Sequence, residues 1–304
     1  MNFQKVAAVI VTYNRKELLQ QALDSIKNQT YKVNQIFVVN NNSNDGTKEY
    51  LDSLEDIVVI HMKENLGGAG GFHYGVKAAA ESANDFIWIM DDDAIASAEA
   101  LSELMKASNK LNDDKISWGF LCSKVMNDLK EPMNLPVISK KISESGYPRW
   151  SKYIENSIVE VDKSTFVSVL VKKEIVRKLG LPIKEMFIWG DDTEYTWRIS
   201  NKYPCFFVGN SQIIHRRMNG KSLSIILEDS AVRLPWYSLL IRNNTYNFKK
   251  HGNRLETLKY FLINILLCLK ILIKAKDRKI YRVWIQLKGM MKSFTFNPKI
   301  KFPD

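Results

Sequence analysis

The sequence predicts an α/β protein: a doubly wound, mostly parallel sheet followed by a basic, helical C-terminal appendage. Three observations carry this reading. Four short apolar runs recur early in the chain, each run is followed by a helical pattern, and a polar or glycine-rich group follows each run at near-constant spacing. The runs are VAAVIV (6–11), QIFVVN (35–40), IVVIHM (57–62) and DFIWIM (85–90). Their near-continuous β-branched and aromatic content predicts strands buried on both faces, as in a parallel sheet. Helical patterns fill 15–28, 46–54, 68–83 and 96–111. Strand and helix alternating with right-handed crossovers give a doubly wound sheet.

The groups after the four runs are Tyr13-Asn14-Arg15, Asn40-Asn41-Asn42-Ser43, Asn65-Leu66-Gly67-Gly68-Ala69-Gly70-Gly71 and Asp91-Asp92-Asp93. From Tyr13 to Asn40, Asn65 and Asp91 the steps are 27, 25 and 26 residues, which places all four along one sheet edge. Ligands of open α/β sheets bind outside that carboxyl edge. The second group, with Asp45-Gly46-Thr47, also suits simple turn and capping chemistry. GGAGG lacks the G-x-G-x-x-G spacing, and Asn40 stands where a ribose-binding acid belongs, so a nicotinamide dinucleotide site is disfavoured. Glycines here let backbone N–H groups approach phosphate oxygens. Three successive carboxylates repel one another unless a cation neutralises them. All-oxygen ligands favour Mg²⁺ or Mn²⁺, and such an ion beside a glycine-rich loop suits a diphosphate.

Further on, 116–126 reads as a strand, 127–157 as a long loop and 158–172 as one or two strands. The loop carries Gly146-Tyr147-Pro148-Arg149-Trp150, read as a lid, an acceptor-binding segment or a satellite apolar cluster. In Gly190-Asp191-Asp192 a helix starts. One acid suffices for a cap; Asp192, among Phe187, Trp189, Tyr195 and Trp197, is placed as a general base with a raised pKa. Arg198 is available to an acid or a phosphate. Cys205–Gly209 and Gln212–His215 read as two short strands ending in His215-Arg216-Arg217. His215 is able to complete a carboxylate metal shell, whereas His61, His73 and His251 have no comparable company in the sequence.

VTYNR (11–15), VVNNNSNDGT (38–47), Asp91–Asp93 and Gly190-Asp191-Asp192 together resemble family 2 inverting glycosyltransferases of the GT-A fold. Asn65 to Phe72, with a downstream Asp-Asp and His, is similar to the bacterial galactofuranosyltransferase and rhamnosyltransferase branch that builds cell-surface polysaccharides. The resemblance covers roughly residues 5–217. It implies that Asp91, Asp93 and His215 hold Mn²⁺ or Mg²⁺ against the diphosphate of a UDP-sugar or dTDP-sugar. Asp92, Asn65, Gly68, Ala69, Gly70 and Gly71 then lie along the donor. Tyr13 and Arg15 lie by the base, and Asn41 bonds it in place of the acid commoner in the wider family. Asp192 is the catalytic base and Asp191 binds a glycan or polyprenyl-linked acceptor. Galactofuranose is the favoured sugar and rhamnose the next. No Gln-x-x-Arg-Trp motif is present, which argues against a processive polymerase. The implied organisation is a catalytic part at 1–225, with a nucleotide half (1–115) and an acceptor half (116–225), and a helical region at 226–304.

Of the net charge of +11, residues 233–304 supply 16 Lys+Arg against 3 Asp+Glu, or +13; the 28 basic and 30 acidic residues before them give −2. Helices are expected at 230–249, 254–276 and 278–292. The longest charge-free run in the middle one is ten residues, 260–269, short of the ~20 that a spanning helix needs. Lys259, Lys270 and Lys274 fall on one arc of about 60°. A broad apolar face with a lysine stripe, flanked by the basic residues of 274–282, predicts contact with an anionic membrane surface through 254–282. The alternative is packing against a second subunit, a homodimer. No nucleic-acid motif accompanies the basic residues, so nucleic acid is disfavoured as a partner. Three scattered cysteines predict neither disulfides nor zinc, and an N-terminal apolar run of six is too short for a secretory leader. The expected setting is cytoplasmic, peripheral on the inner face of the plasma membrane. Two rivals remain: a sugar-nucleotidyltransferase, whose glycine-rich signature usually follows the first strand, and a non-catalytic carbohydrate-binding assembly subunit, which would tolerate loss of the acids present here.

Overall fold

The computed structural model of the protein describes residues 4–216 and 223–304; Arg217 lies outside them. The first half follows the expected alternation: β1 (Val6–Thr12), α1 (Lys16–Lys27), β2 (Gln35–Asn40), α2 (Thr47–Asp52), β3 (Val58–His61), α3 (Gly67–Glu81) and β4 (Phe86–Asp91). Then come β5 (Ala94–Ala96), α4 (Ala100–Asp113), β6 (Phe120–Met126), β7 (Val137–Ile138), β8 (Ile158–Lys163), β9 (Ser168–Lys172), α5 (Lys173–Leu179), α6 (Asp191–Ser200) and β10 (Cys205–His215). Three helices end the chain: α7 (Tyr237–His251), α8 (Arg254–Lys274) and α9 (Lys279–Thr295).

All ten strands join one sheet in the order β3-β2-β1-β4-β9-β6-β10-β8-β7, with β5 against β10. The strands β3, β2, β1 and β4 are mutually parallel. Strand β9 enters antiparallel between β4 and β6, and β10 returns parallel to β6. The sheet is therefore mostly parallel, and it is doubly wound. Along β1, Val6, Ala8 and Ile10 point into a core shared with α1 and α4. Ala7, Val9 and Val11 point to the opposite face, into a core with α3, α5 and α6. The period of two sends alternate side chains to opposite faces, so a run apolar at every position is what two covered faces demand.

Four expectations need adjustment. Strand β3 is not buried on both faces: it is the sheet's edge and Val58 is exposed. The fourth helix begins at Ala100 rather than 96, because Ala94–Ala96 pair with β10 instead. The two short strands expected at 205–215 are one strand, whose register with β6 shifts between Val208 and Gln212. The long loop carries β7 and two short 3₁₀ turns, at Arg149–Ser151 and Ile154–Asn156.

The C-terminal helices pack against the sheet domain. Phe248 meets Trp197 of α6 edge-on, and α9 lies along α7 with Gly289 against Ser238 and Ile241. Beyond α9 the chain crosses back: the Leu181 N–H donates to the Lys301 carbonyl at 2.7 Å, and Lys77 pairs with Asp304 at 2.9 Å. No helix among the described residues is long and apolar enough to cross a membrane.

Candidate active site

Strand β4 runs through Phe86–Met90 in the core and emerges at Asp91. The chain then turns and returns as β5, whose Ala94 pairs with His215 at the end of β10. This hairpin-like register sets the imidazole over the acids. The Arg216 N–H also donates to the Asp93 carbonyl at 2.8 Å. Asp91, Asp93 and His215 each offer a ligand atom, all within 4.8 Å of one another. His215 Nε2 is 2.9 Å from Asp93 Oδ1, and His215 Nδ1 is 3.0 Å from Asn134 Oδ1.

Arg15 Nη1 lies 3.0 Å from Asp92 Oδ1 and 2.8 Å from Asp93 Oδ2. The turn after β1 delivers it to the neighbouring strand's acids. Burial pushes Asp91 up to about 7, helped by the charge of Asp93. Burial likewise pushes Asp92 up to about 6, against the pull of Arg15. Burial would raise Asp93 too, but the hydrogen bond and charge of His215, with Arg15, hold it below the usual carboxylate range. Burial would lower Arg15, and the facing acids outweigh it, leaving the guanidinium raised. A site whose buried carboxylates resist ionising and recruit a guanidinium has surplus negative charge. Two carboxylates and an imidazole whose ligand atoms lie within 4.8 Å of one another fit a divalent cation.

The second acid pair opens α6. Gly190, at φ 96°, ends the preceding loop, and Asp191 is the first helical residue rather than a side-chain cap. Phe187 and Trp189 both adopt positive φ, 65° and 59°. This strained loop is held from α7: Asn243 Nδ2 donates to the carbonyls of Met186, Ile188 and Trp189 at 3.0, 3.1 and 2.7 Å, and Asn247 Nδ2 donates to Gly190 O at 2.8 Å. Strain of this kind persists only where surroundings over-determine it. Asp191 is raised well above the ordinary range by burial, then by Asp192, with a smaller push from Asp91. That last influence puts the two acid groups in one electrostatic neighbourhood. Burial also raises Asp192, whose Oδ1 accepts the Thr193 N–H at 2.6 Å.

The Asn-rich and glycine-rich groups bind each other. Asn41 Nδ2 donates to Asn65 Oδ1 and to Gly67 O, both at 2.9 Å, while Asn41 Oδ1 accepts the Leu66 N–H at 3.0 Å. Asn41, expected at the base, thus has its amide engaged in fastening the end of β2 to the glycine loop. Asn65 Oδ1 also takes the Gly67 N–H at 2.8 Å. Ala69 is buried and donates its N–H to Phe187 O at 3.1 Å, joining this loop to the one before α6. A Cβ at Gly71 would come 2.3 Å from Val11, and one at Gly70 would come 2.4 Å from Leu66, so both glycines serve close packing; Gly68 faces open space. Tyr13 is exposed at the mouth.

Sequence reasoning missed several supports. Asn134 sits in the long loop with no motif to announce it. Asn243 and Asn247 lie on α7 in the polar run Arg242-Asn243-Asn244-Thr245-Tyr246-Asn247, where nothing local sets them apart. Arg198 pairs with buried Glu194 at 2.9 Å, so its partner is an acid. His251, which has no company in the sequence, lies 2.8 Å from the same glutamate.

The profile of glycosyl transferase family 2 matches residues 7–159, half of the chain. The chain belongs to glycosyltransferase family 2. Among curated relatives, the galactofuranosyltransferase GlfT1 of Mycolicibacterium smegmatis is 28% identical over 199 residues, covering 64% of this chain and 65% of that one. A Campylobacter jejuni GalNAc(5)-diNAcBac-PP-undecaprenol beta-1,3-glucosyltransferase is 32% identical over 111 residues, 35% of each chain. The chain therefore spans just under two thirds of the length of the mycobacterial relative. Among solved structures, S. aureus TarS superposes with a TM-score of 0.54 at 13% identity, covering 97% of this chain and 44% of TarS. GalNAc-T7 with UDP, GalNAc and Mn²⁺ gives 0.55 at 16% identity, covering 85% and 54%. Family and topology agree: the family 2 chain has the GT-A fold.

Proposed function

We propose that this family 2 protein is an inverting, metal-dependent glycosyltransferase that uses a UDP-sugar or dTDP-sugar donor and a glycan or polyprenyl-linked acceptor. The observation that carries the reading is the meeting of Asp91, Asp93 and His215 where β4 and β10 end, with Asp191 at the start of α6 feeling the charge of Asp91. Asp91, Asp93 and His215 would hold Mn²⁺ or Mg²⁺. Such an ion, when bound, neutralises charge on a leaving diphosphate.

In this reading Arg15, between Asp92 and Asp93, is a counter-cation at the diphosphate end of the donor rather than a base contact. Gly68, with open space over the first turn of α3, lies beneath the phosphates; Gly71 lets that turn pack close to Val11 of β1, Gly70 packs against Leu66, and Ala69 ties the turn to Phe187. Asn41 and Asn65 hold the loop in shape, and Tyr13 flanks the base. Asp191 orients the acceptor. Asp192, raised by burial, takes the proton of the acceptor hydroxyl. As that proton leaves, the hydroxyl oxygen forms a bond to the anomeric carbon and the carbon–oxygen bond to the diphosphate breaks, inverting the centre. The mycobacterial relative supports galactofuranose ahead of rhamnose. The exposed apolar faces of α8 and α9, with their lysines, support a peripheral position on an anionic inner membrane face.

A panel of UDP- and dTDP-sugars with Mn²⁺, scored by nucleoside diphosphate release and by thermal shift, tests this. The true donor is expected to raise the melting temperature in the manner of RT ln(1+[L]/Kd) and to release diphosphate when an acceptor is added. Release of pyrophosphate from a nucleoside triphosphate and a sugar phosphate would instead establish a nucleotidyltransferase.

A further inference from the structure

Between α7 and α9 lies a cavity of about 420 Å³ that the site above does not use. Phe187, Trp236, Tyr281 and Trp284 line it together with Lys288 and Lys292. On α9, Tyr281, Trp284, Lys288 and Lys292 fall within an arc of about 80°. One stripe therefore runs from aromatic to cationic along the helix. Neither lysine's ammonium group has an acidic partner or a hydrogen bond among the described residues. Trp284 also belongs to the exposed apolar face of α9, with Leu287 and Met291.

We propose that this cavity binds a long-chain phosphate, with the phosphate on Lys288 and Lys292 and the hydrocarbon along Trp236, Tyr281 and Trp284. Two unpaired ammonium groups at one end of an aromatic trough complement a ligand with one anionic and one apolar part. A free anion gives the aromatic end nothing to cover, and a neutral lipid leaves both charges unmatched. The lysine half of α9 lies beside Ile241, next to Arg242, whose guanidinium bonds the carbonyls of Glu185 and Met186. Phe187 follows and also lines the cavity, four residues before Asp191. The phosphate is thus placed against the loop that delivers the acid pair of α6. That the bound molecule is the acceptor's carrier rests on the glycosyl-transfer reading; the binding itself does not.

The test uses the full chain without metal or donor, titrated with decyl phosphate below its micelle concentration and followed by calorimetry. Saturable binding of one molecule per chain is expected, with decanol and inorganic phosphate each at least tenfold weaker. Lys288→Gln with Lys292→Gln is expected to weaken decyl phosphate at least tenfold, and Trp284→Ala severalfold. Both changes sit on exposed side chains, and an unchanged melting temperature verifies folding. Equal affinity of the double variant and wild type overturns the proposal. So does inorganic phosphate as tight as decyl phosphate, binding seen only with phosphatidylglycerol vesicles, or a dimer that seals the cavity and resists decyl phosphate. UDP with Mn²⁺ is titrated into the same wild-type preparation. Failure there with decyl phosphate bound sinks the transferase reading and leaves the site standing, and the reverse result does the opposite.

Discussion

Asp91 and Asp93 leave β4 two positions apart, yet their surroundings drive them in opposite directions. Asp91 sits near 7 because burial and its neighbour's charge disfavour ionisation, while His215 and Arg15 keep Asp93 ionised. A cation binding here competes with the Asp91 proton. Affinity for Mn²⁺ is therefore expected to climb with pH up to about 7, approaching tenfold per pH unit below it, and then level off. Mn²⁺ titrations between pH 5.5 and 8 check this, and Asp91→Asn should flatten the profile while weakening binding. Asn134 acts one bond further out: its amide oxygen accepts the Nδ1–H and so fixes the tautomer that leaves the Nε2 lone pair for a cation held with the acids. Asn134→Ala is expected to lower Mn²⁺ affinity about 10- to 100-fold, measured by the same titration, with the melting temperature of the metal-free protein little changed. For the base, Asp192→Asn should cut turnover by about 10²–10⁴-fold while nucleotide binding persists. Near-normal diphosphate release from that variant would remove Asp192 from the mechanism.

At the scale of elements, the four early strands and their helices were legible because apolar runs and a period near 26 residues leave marks that local chemistry can read, although the edge position of β3 was not. The acid groups were legible for the same reason: each follows directly on a strand. Pairings across distance were not. Nothing in the local pattern of Ala94–Ala96 distinguishes a short strand from a helix start; the decision belongs to β10, over 110 residues away. The pairing of Arg15 with Asp92 and Asp93 follows from β1 and β4 being neighbours, which no local pattern shows. Asn243 gives no local signal because its partners are carbonyls of another segment. The same coupling makes Gly67 a sensitive point. It sits at φ 70°, and a Cβ there would come 2.0 Å from Phe187 O, which is backbone and unable to swing aside. Gly67→Ala should separate the glycine loop from the loop before α6, costing about 1–3 kcal/mol in urea unfolding. Donor binding is expected to weaken with it, because the Ala69 to Phe187 hydrogen bond crosses that contact.

For the molecule as a whole, the surface of α8 sets the last expectation. Asn264 and Ile271 face inward. Leu255, Leu258, Leu262, Ile263, Ile265, Leu266, Leu269, Leu272 and Ile273 are exposed, and they occupy an arc of about 180° on the outer side. A helix that turns its leucines outward and carries Lys259, Lys270 and Lys274 along one border has the inverse of a solvent-facing pattern. Contiguous apolar surface of this kind marks an interface. Burial in a lipid headgroup layer satisfies the leucines and the lysines together, since each lysine near an anionic surface is worth about 1 kcal/mol. A symmetric dimer would cover the leucines but would bring like charges toward one another. Cosedimentation with phosphatidylglycerol vesicles separates the two. Wild type is expected to pellet at low salt and to be partly released at about 1 M salt, where the screening length falls to about 3 Å. Leu262→Glu with Leu266→Glu should abolish pelleting without altering Mn²⁺ binding at the distant acid trio. A protein that sediments as a stable dimer without lipid, and pellets equally with neutral vesicles, would instead assign the face to a second copy of the chain.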